Sequence, residues 1–236
     1  MPVRKDITSS SDGITAMTDR PEISEKAAKK VFRRYFPLIF VLWILFVLYP
    51  NPVNLIFSIQ RVLNFDADPG AVQSMLNDRP SDPADIEKAV LAKIPYHRDW
   101  ELYGMPWYCP TVEQVLEREA GDCKGRALVL ASVLEAENIS YQIRSSPMHI
   151  WVDYERKQET SIENTQVEFF HFDPETGERQ FQVPSINSGG LLKSFQQQFW
   201  TPMPDGRKAL LISGLVGLIA ARVILRKKRT AQSTGI

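Results

Sequence analysis

Two apolar stretches near the ends of the chain, residues 35–49 and 209–225, restrict the folds open to it more than any other feature. The first, YFPLIFVLWILFVLY, has no charged residue. With Val53, Leu55, Ile56 and Phe57 beyond Pro50 it approaches the roughly 20 residues a helix needs to cross a hydrocarbon core. Apolar on all sides, with Trp43 and Tyr49 and no polar face, it differs from the amphipathic helix of a globular core. A cleaved signal peptide fits poorly, because a long charged segment precedes the run and no small-residue cleavage pattern follows it. The second stretch, ALLISGLVGLIAARVIL, contains Arg222, which must snorkel if the segment spans; an interfacial amphipathic helix is its alternative. In it Ser213, Gly217 and Ala221 recur every fourth residue, a small-residue ridge along which another helix can approach closely.

Charge locates the rest. Lysine plus arginine equals aspartate plus glutamate at 28 each, so no global field draws the chain to nucleic acid. Lys29, Lys30, Arg33 and Arg34 precede the first stretch and Arg226, Lys227, Lys228 and Arg229 follow the second, which by the positive-inside bias places both termini in the cytoplasm. Arg207 and Lys208, on the other side, work against that bias. The expected organisation is a disordered tail over 1–34, a transmembrane helix over 35–57, an extracytoplasmic domain over 60–184, a linker over 185–206, a second transmembrane helix over 207–226 and a basic tail over 227–236. The lipid bilayer is then the first expected partner.

Within the domain, Ser81-Asp-Pro-Ala supplies cap and first-turn residues, and Ile86, Val90, Leu91 and Ile94 repeat at helical spacing until Pro95. Thr111 and Gln114 have capping-box spacing, predicting a short helix over 111–119 that Gly121 breaks. Asp122 can cap a helix beginning at Cys123, on which Cys123, Ala127, Leu130, Ala131 and Leu134 share one face. Ile139, Tyr141 and Ile143 then alternate, as do Met148, Ile150, Val152 and Tyr154, with His149, Trp151 and Asp153 opposite the latter. After the polar run ERKQETSIENT a third alternating segment ends in His171-Phe-Asp173-Pro. Helices followed by antiparallel strands predict an α+β domain.

Cys109 and Cys123 are too few for a disulfide framework and do not form a CxxC pair. A thiol attacks well only when activated, and a helix N-terminus and a neighbouring imidazole are the two common devices. Cys123 has the first by position, and His149, at a strand start, is the candidate for the second. Asp173, where Pro174 stops the strand, is the candidate to orient the imidazole, with Asp153 as its rival. Other readings of these residues are a buried structural cysteine, a Cys109–Cys123 disulfide, and a zinc site from Cys109, Cys123, His149 and His171, although no pair among them has tight ligand spacing.

The string GDCKGRA from Gly121, the LxxVLEAxxI that follows, HIWV from His149 and FHFDP ending at Pro174 together resemble the core of the transglutaminase-like superfamily, over about residues 95 to 180. The resemblance implies a papain-like fold in which a nucleophile helix packs on an antiparallel sheet. It also implies a Cys123, His149, Asp173 triad working on protein or peptide amides as peptidase, deamidase or transglutaminase, with no cofactor. An aromatic donor ahead of the nucleophile in that family makes Trp107 an oxyanion candidate, beside the plainer reading that it packs beneath the helix. Ile150 departs from the family's usual small residue, and Phe169 and Phe170 stand where a Trp often precedes the Asp-Pro pair. The non-enzymatic alternative is a degenerate domain used as a membrane-bound scaffold.

Overall fold

A computed structural model describes residues 21–75, 81–163, 165–183 and 188–233. Of the expected tail, residues 1–20 therefore lie outside the described residues, as do the first three of the expected linker. The chain divides into two compact units, one formed by residues 44–212 and the other by the segments before 44 and after 212.

The larger unit is α+β. Helix α1 (Pro21–Leu48) ends inside it, and the apolar run does not continue through Pro50. Asn51 caps a separate helix α2 (Pro52–Asn64), its side chain accepting from the Val53 amide at 3.1 Å with Pro52 at the first helical position. Residues 53–57 therefore belong to α2, not to a first span over 35–57. Ser58 and Arg61 on its inner side hold the Cys109 backbone, Ser58 Oγ accepting from Cys109 N at 3.1 Å and Arg61 donating to Cys109 O at 3.0 Å.

Helix α3 (Pro83–Lys93) is capped by Asp82 and buries Ile86 and Val90, and α4 (Asp99–Leu102) is a single turn. Helix α5 (Val112–Arg118) has the expected capping box, with Gln114 N donating to Thr111 Oγ1 at 3.3 Å and Thr111 N to Gln114 Oε1 at 3.0 Å. It ends at Glu119, which turns into the left-handed region at φ 49° before Gly121 is reached.

Helix α6 (Cys123–Ala136) is the centre of the unit. Every side chain from Ala127 to Leu134 is buried, because α3 and α5 cover one side and the sheet the other. Ser132 is the one polar residue in that stretch; its hydroxyl donates to Leu128 O at 2.8 Å and accepts from Asp68 N at 2.9 Å, tying residues 65–75 across the helix. Gly125 lets α5 approach, since a Cβ there would stand 3.1 Å from Val115 Cγ2.

Strands β1 (Tyr141–Ser146), β2 (His149–Tyr154), β3 (Phe170–Phe172) and β4 (Arg179–Phe181) form one antiparallel sheet in the order β2-β1-β3-β4. Chain order and sheet order differ, because β3 pairs with β1 and leaves β2 on the edge. In this register Ser146 faces His149 at one end of β1, and Ile143 faces Phe172 near the other. The expected linker carries helix α7 (Ser188–Phe195) and a π-helical turn over Gln196–Trp200, which lead into α8 (Asp205–Ser233). Arg207, one of the two basic residues that work against the charge bias, donates to the terminal α1 carbonyls of Val47 and Leu48 at 3.2 and 3.4 Å.

Two helical segments, Lys30–Leu48 and Asp205–Leu225, are long and apolar enough to cross a membrane. Only 17% and 6% of their windows are buried, unlike a core helix. In the smaller unit they run antiparallel: Arg222 lies 4.3 Å over the Phe36 ring, and the Trp43 indole occupies the space a Cβ on Gly214 would fill. A Cβ on Gly217, at the middle of the expected Ser213, Gly217, Ala221 ridge, would meet nothing within 4 Å, so close approach depends on Gly214 instead. Arg222 thus stacks on a neighbouring aromatic ring.

One buried ionic cluster fixes the start of α6. Asp122 accepts from the amides of Lys124 and Gly125 at 3.0 and 3.2 Å and also binds the Lys124 ammonium, which reaches Asp99 Oδ2 on α4 at 2.9 Å. The same Asp99 oxygen accepts from Tyr108 N at 3.0 Å. Burial opposes the charge on Lys124, but the two carboxylates overcome it and hold the ammonium well above its usual range. Burial pushes the Asp99 carboxyl up, with Lys124 opposing and Asp122 reinforcing the shift. Removing one partner of such a cluster strands the others, so Lys124→Met is expected to cost about 3–5 kcal/mol in denaturant unfolding of the purified chain, with partial recovery in Lys124→Met/Asp99→Leu.

Candidate active site

Cys123 opens α6 with its side chain half-buried and the helix dipole behind it. The sulfur lines a cavity of about 170 Å³ together with His149, Tyr96, Arg126, Leu130, Ile150 and Glu163 among others. Arg126 forms one wall, its Nε donating to Ile94 O at 2.8 Å and its guanidinium lying 5.3 Å from the Tyr96 ring centre. Leu130 and Ile150 make part of that cavity apolar.

His149 comes to Cys123 because β2 is the edge strand and packs on α6. Its ring stacks on Trp151, two residues on, with 14° between the planes. Cys123 and His149 line the same cavity, and His149 Nε2 lies 2.7 Å from Glu163 Oε1.

Glu163 stands where Asp173 was expected. It lies in the long connection between β2 and β3, in a turn closed by Thr160: Glu163 N donates to Thr160 Oγ1 at 3.1 Å and Thr160 N to Glu163 O at 3.0 Å. Its second oxygen, Oε2, meets Lys157 at 3.1 Å, and Lys157 in turn reaches Glu87 at 2.9 Å and Val152 O at 2.8 Å. Burial works against ionisation of Glu163, but His149 and Lys157 outweigh it and hold the carboxyl below its ordinary value.

Asp173 is not brought to His149. Because β3 pairs with β1, Asp173 follows Phe172 at the end of β1 away from Ser146 and His149. There its carboxylate accepts from the amides of Glu175 and Thr176 at 2.9 and 3.3 Å, closing the turn into β4. Asp153, the rival, pairs with Arg144 at 2.8 Å, and Arg144 also holds Glu168 at 2.6 Å. Glu168 is the partner of His171 as well, at 2.9 Å.

Trp107 is likewise apart from the sulfur. Its backbone is left-handed at φ 48°, and its half-exposed ring packs on Phe195 and Phe199 at 6.3 and 5.4 Å. Both cysteines are free, and Cys109 is buried, its thiol pushed up to about 12 by desolvation. Among the described residues no three His, Cys, Asp or Glu side chains gather as a metal site. Neither a scan of protein-family models nor a search of curated proteins finds a match to the chain.

Burial alone would lower the His149 pKa, but Cys123 and Glu163 beside the ring reverse that and raise it to about 9. A histidine raised in the folded state contributes stability that is complete below its unfolded value and lost as pH climbs through the folded one. Thermal unfolding followed from pH 6.5 to 9 should therefore show a loss of stability. Glu163→Gln should flatten that slope by bringing the folded value down.

Proposed function

We propose that the chain is a membrane-anchored, cysteine-dependent acyl-transfer enzyme acting on protein or peptide amides, built on a transglutaminase-like, papain-like core. The observation that carries it is one constellation: a half-buried thiol at the first residue of a buried helix, an imidazole beside it in the same open cavity, and a charged carboxylate on that imidazole. A His149 raised to about 9 is protonated at neutral pH, so it sets a positive charge against the sulfur and holds the proton that a departing amine requires.

In this reading His149 holds the proton given up by Cys123, the Cys123 sulfur attacks the amide carbonyl, and the C–N bond breaks as His149 passes that proton to the nitrogen, leaving a thioester on Cys123 and a free amine. Water or a second amine then attacks the thioester, His149 takes the proton of the incoming nucleophile, and the sulfur leaves. Glu163 is a positioning residue that keeps the imidazole turned toward the sulfur and stabilises its charge. The backbone N–H of Cys123 at the helix start is the donor assigned to the oxyanion. Lys157, which holds the second oxygen of Glu163, fixes the carboxylate in place.

The two apolar helices, by the charge bias of their outer flanks, anchor this domain with both termini in the cytoplasm and the cavity on the other side of the bilayer. A domain held there acts on membrane-proximal or cell-surface proteins.

Incubating the full chain in lipid nanodiscs with a peptide library, with and without a primary amine, and reading the products by mass tests the activity. Shortened or deamidated peptides without the amine, or amine adducts with it, all lost in Cys123→Ser, are the expected result. An unchanged library under both conditions would favour the scaffold.

A further inference from the structure

Helix α2 carries an apolar face that none of the described residues covers. Val53, Ile56, Phe57, Ile59 and Leu63 are each about half exposed or more, with Ile56 at 63%. At 100° per residue these five and Gln60 fall on one side of the helix, whereas Ser58 and Arg61, which hold Cys109, fall on the other. The exposed side has no charge, and Arg61, the helix's one ionisable residue, is turned inward to the Cys109 carbonyl. Five large apolar side chains side by side on a helix are more than the scattered exposure ordinary for a soluble surface.

The position of α2 identifies what covers this face. Only Tyr49, Pro50 and Asn51 separate it from the last residue of α1, one of the two helices apolar enough to cross a membrane. The other is fastened at the same place, through Arg207 on the carbonyls of Val47 and Leu48. Pro50 and the capped start at Asn51 prevent α2 from prolonging α1, so the apolar residues that follow lie along a new axis.

We infer that α2 is an interfacial helix, its exposed face lying in the boundary between headgroups and acyl chains and its inner face clamping the segment around Cys109 to the domain. This rests on the anchoring proposed above. A protein-facing side in place of a charged one distinguishes α2 from a free-standing amphipathic anchor, which keeps its polar face in water. The helix then acts as a collar: it fixes the height of the domain over the bilayer through Ser58, Arg61 and the Cys109 backbone, which runs on through Pro110 into the cap of α5.

Nitroxide labels read by power-saturation EPR, with oxygen and an aqueous nickel chelate as relaxants, test this in the full chain in lipid vesicles. Single cysteines replace Val41, Ile56, Leu63, Ile162 or Val216 on a Cys109→Ala/Cys123→Ser background. All five side chains are half exposed, so labels there leave the fold intact. Positions 41 and 216 should be deep, position 162 in water, and positions 56 and 63 about 5–10 Å into the interface with loss of nickel collisions. Deep signals at 41 and 216 with 56 and 63 as open to nickel as 162 would overturn the interfacial helix and leave the anchoring intact. Nickel access at all five positions would remove the anchoring and the inference together. Spectral broadening at 56 that disappears when unlabelled protein is mixed in would assign the face to a second copy and overturn the lipid assignment.

Discussion

Asp122 does two things at the first turn of α6, and the rest of the site depends on both. As a cap it satisfies the amides of Lys124 and Gly125, which would otherwise be orphaned in a buried setting. As a charge it draws the Lys124 ammonium inward, where Asp99 takes the other side. The helix therefore starts at one residue and no other, and that residue is Cys123. Through Asp99 and Tyr108 the same cluster reaches the Cys109 backbone, on which α2 closes. The position of Cys123 and the hold of α2 on the Cys109 backbone are joined by one continuous set of polar contacts.

The second determinant is the order of the strands. With β2 at the edge, His149 is free on one flank to meet a residue from outside the sheet, and the long connection after β2 supplies Glu163. With β3 on the far side of β1, the carboxylate that ends that strand is carried to the opposite end and spent on a turn. Lys157 completes the arrangement: it holds Glu163 and Glu87, so the loop bearing Glu163 is fastened both to His149 and to α3. A half-buried, paired carboxylate on an imidazole favours the charged imidazole, which is the property the proposed chemistry uses.

Much of the helical part was legible in the sequence because its signals are local. Asp82 followed by Pro83, the Thr111 and Gln114 box, and Asp122 ahead of a long apolar run each name a helix start through contacts within three residues. Cys123 and His149 could be singled out for the same reason: each opens an element. The partner of His149 could not. Alternation marks a strand but not its neighbour, so the end of β3 at Asp173 and Pro174 is visible in the sequence, whereas the pairing of β3 with β1 that carries Asp173 away from His149 is not. Glu163 lay in a polar run read as a connector, although the Thr160-x-x-Glu163 spacing, the same that closes caps, was a signal there. The proline pair around Asn51 was likewise the local sign that the apolar run changes direction. The place of Trp107 is set by Phe195 and Phe199, 88 and 92 positions further along the chain, which no local pattern encodes.

In the proposed chemistry His149 activates Cys123, and Glu163 rather than Asp173 holds the histidine for it. The direct test is the rate at which a thiol-directed probe alkylates Cys123 at neutral pH, measured side by side in the parent chain and in His149→Ala, Glu163→Gln and Asp173→Asn. Rapid labelling is expected in the parent and in Asp173→Asn, with a fall of about tenfold or more in Glu163→Gln, in the range set by losing a partner that orients a histidine, and a larger fall in His149→Ala. Equal labelling in all four would contradict an activated thiol, and slow labelling in Asp173→Asn with none in Glu163→Gln would return the orienting role to the strand-end aspartate.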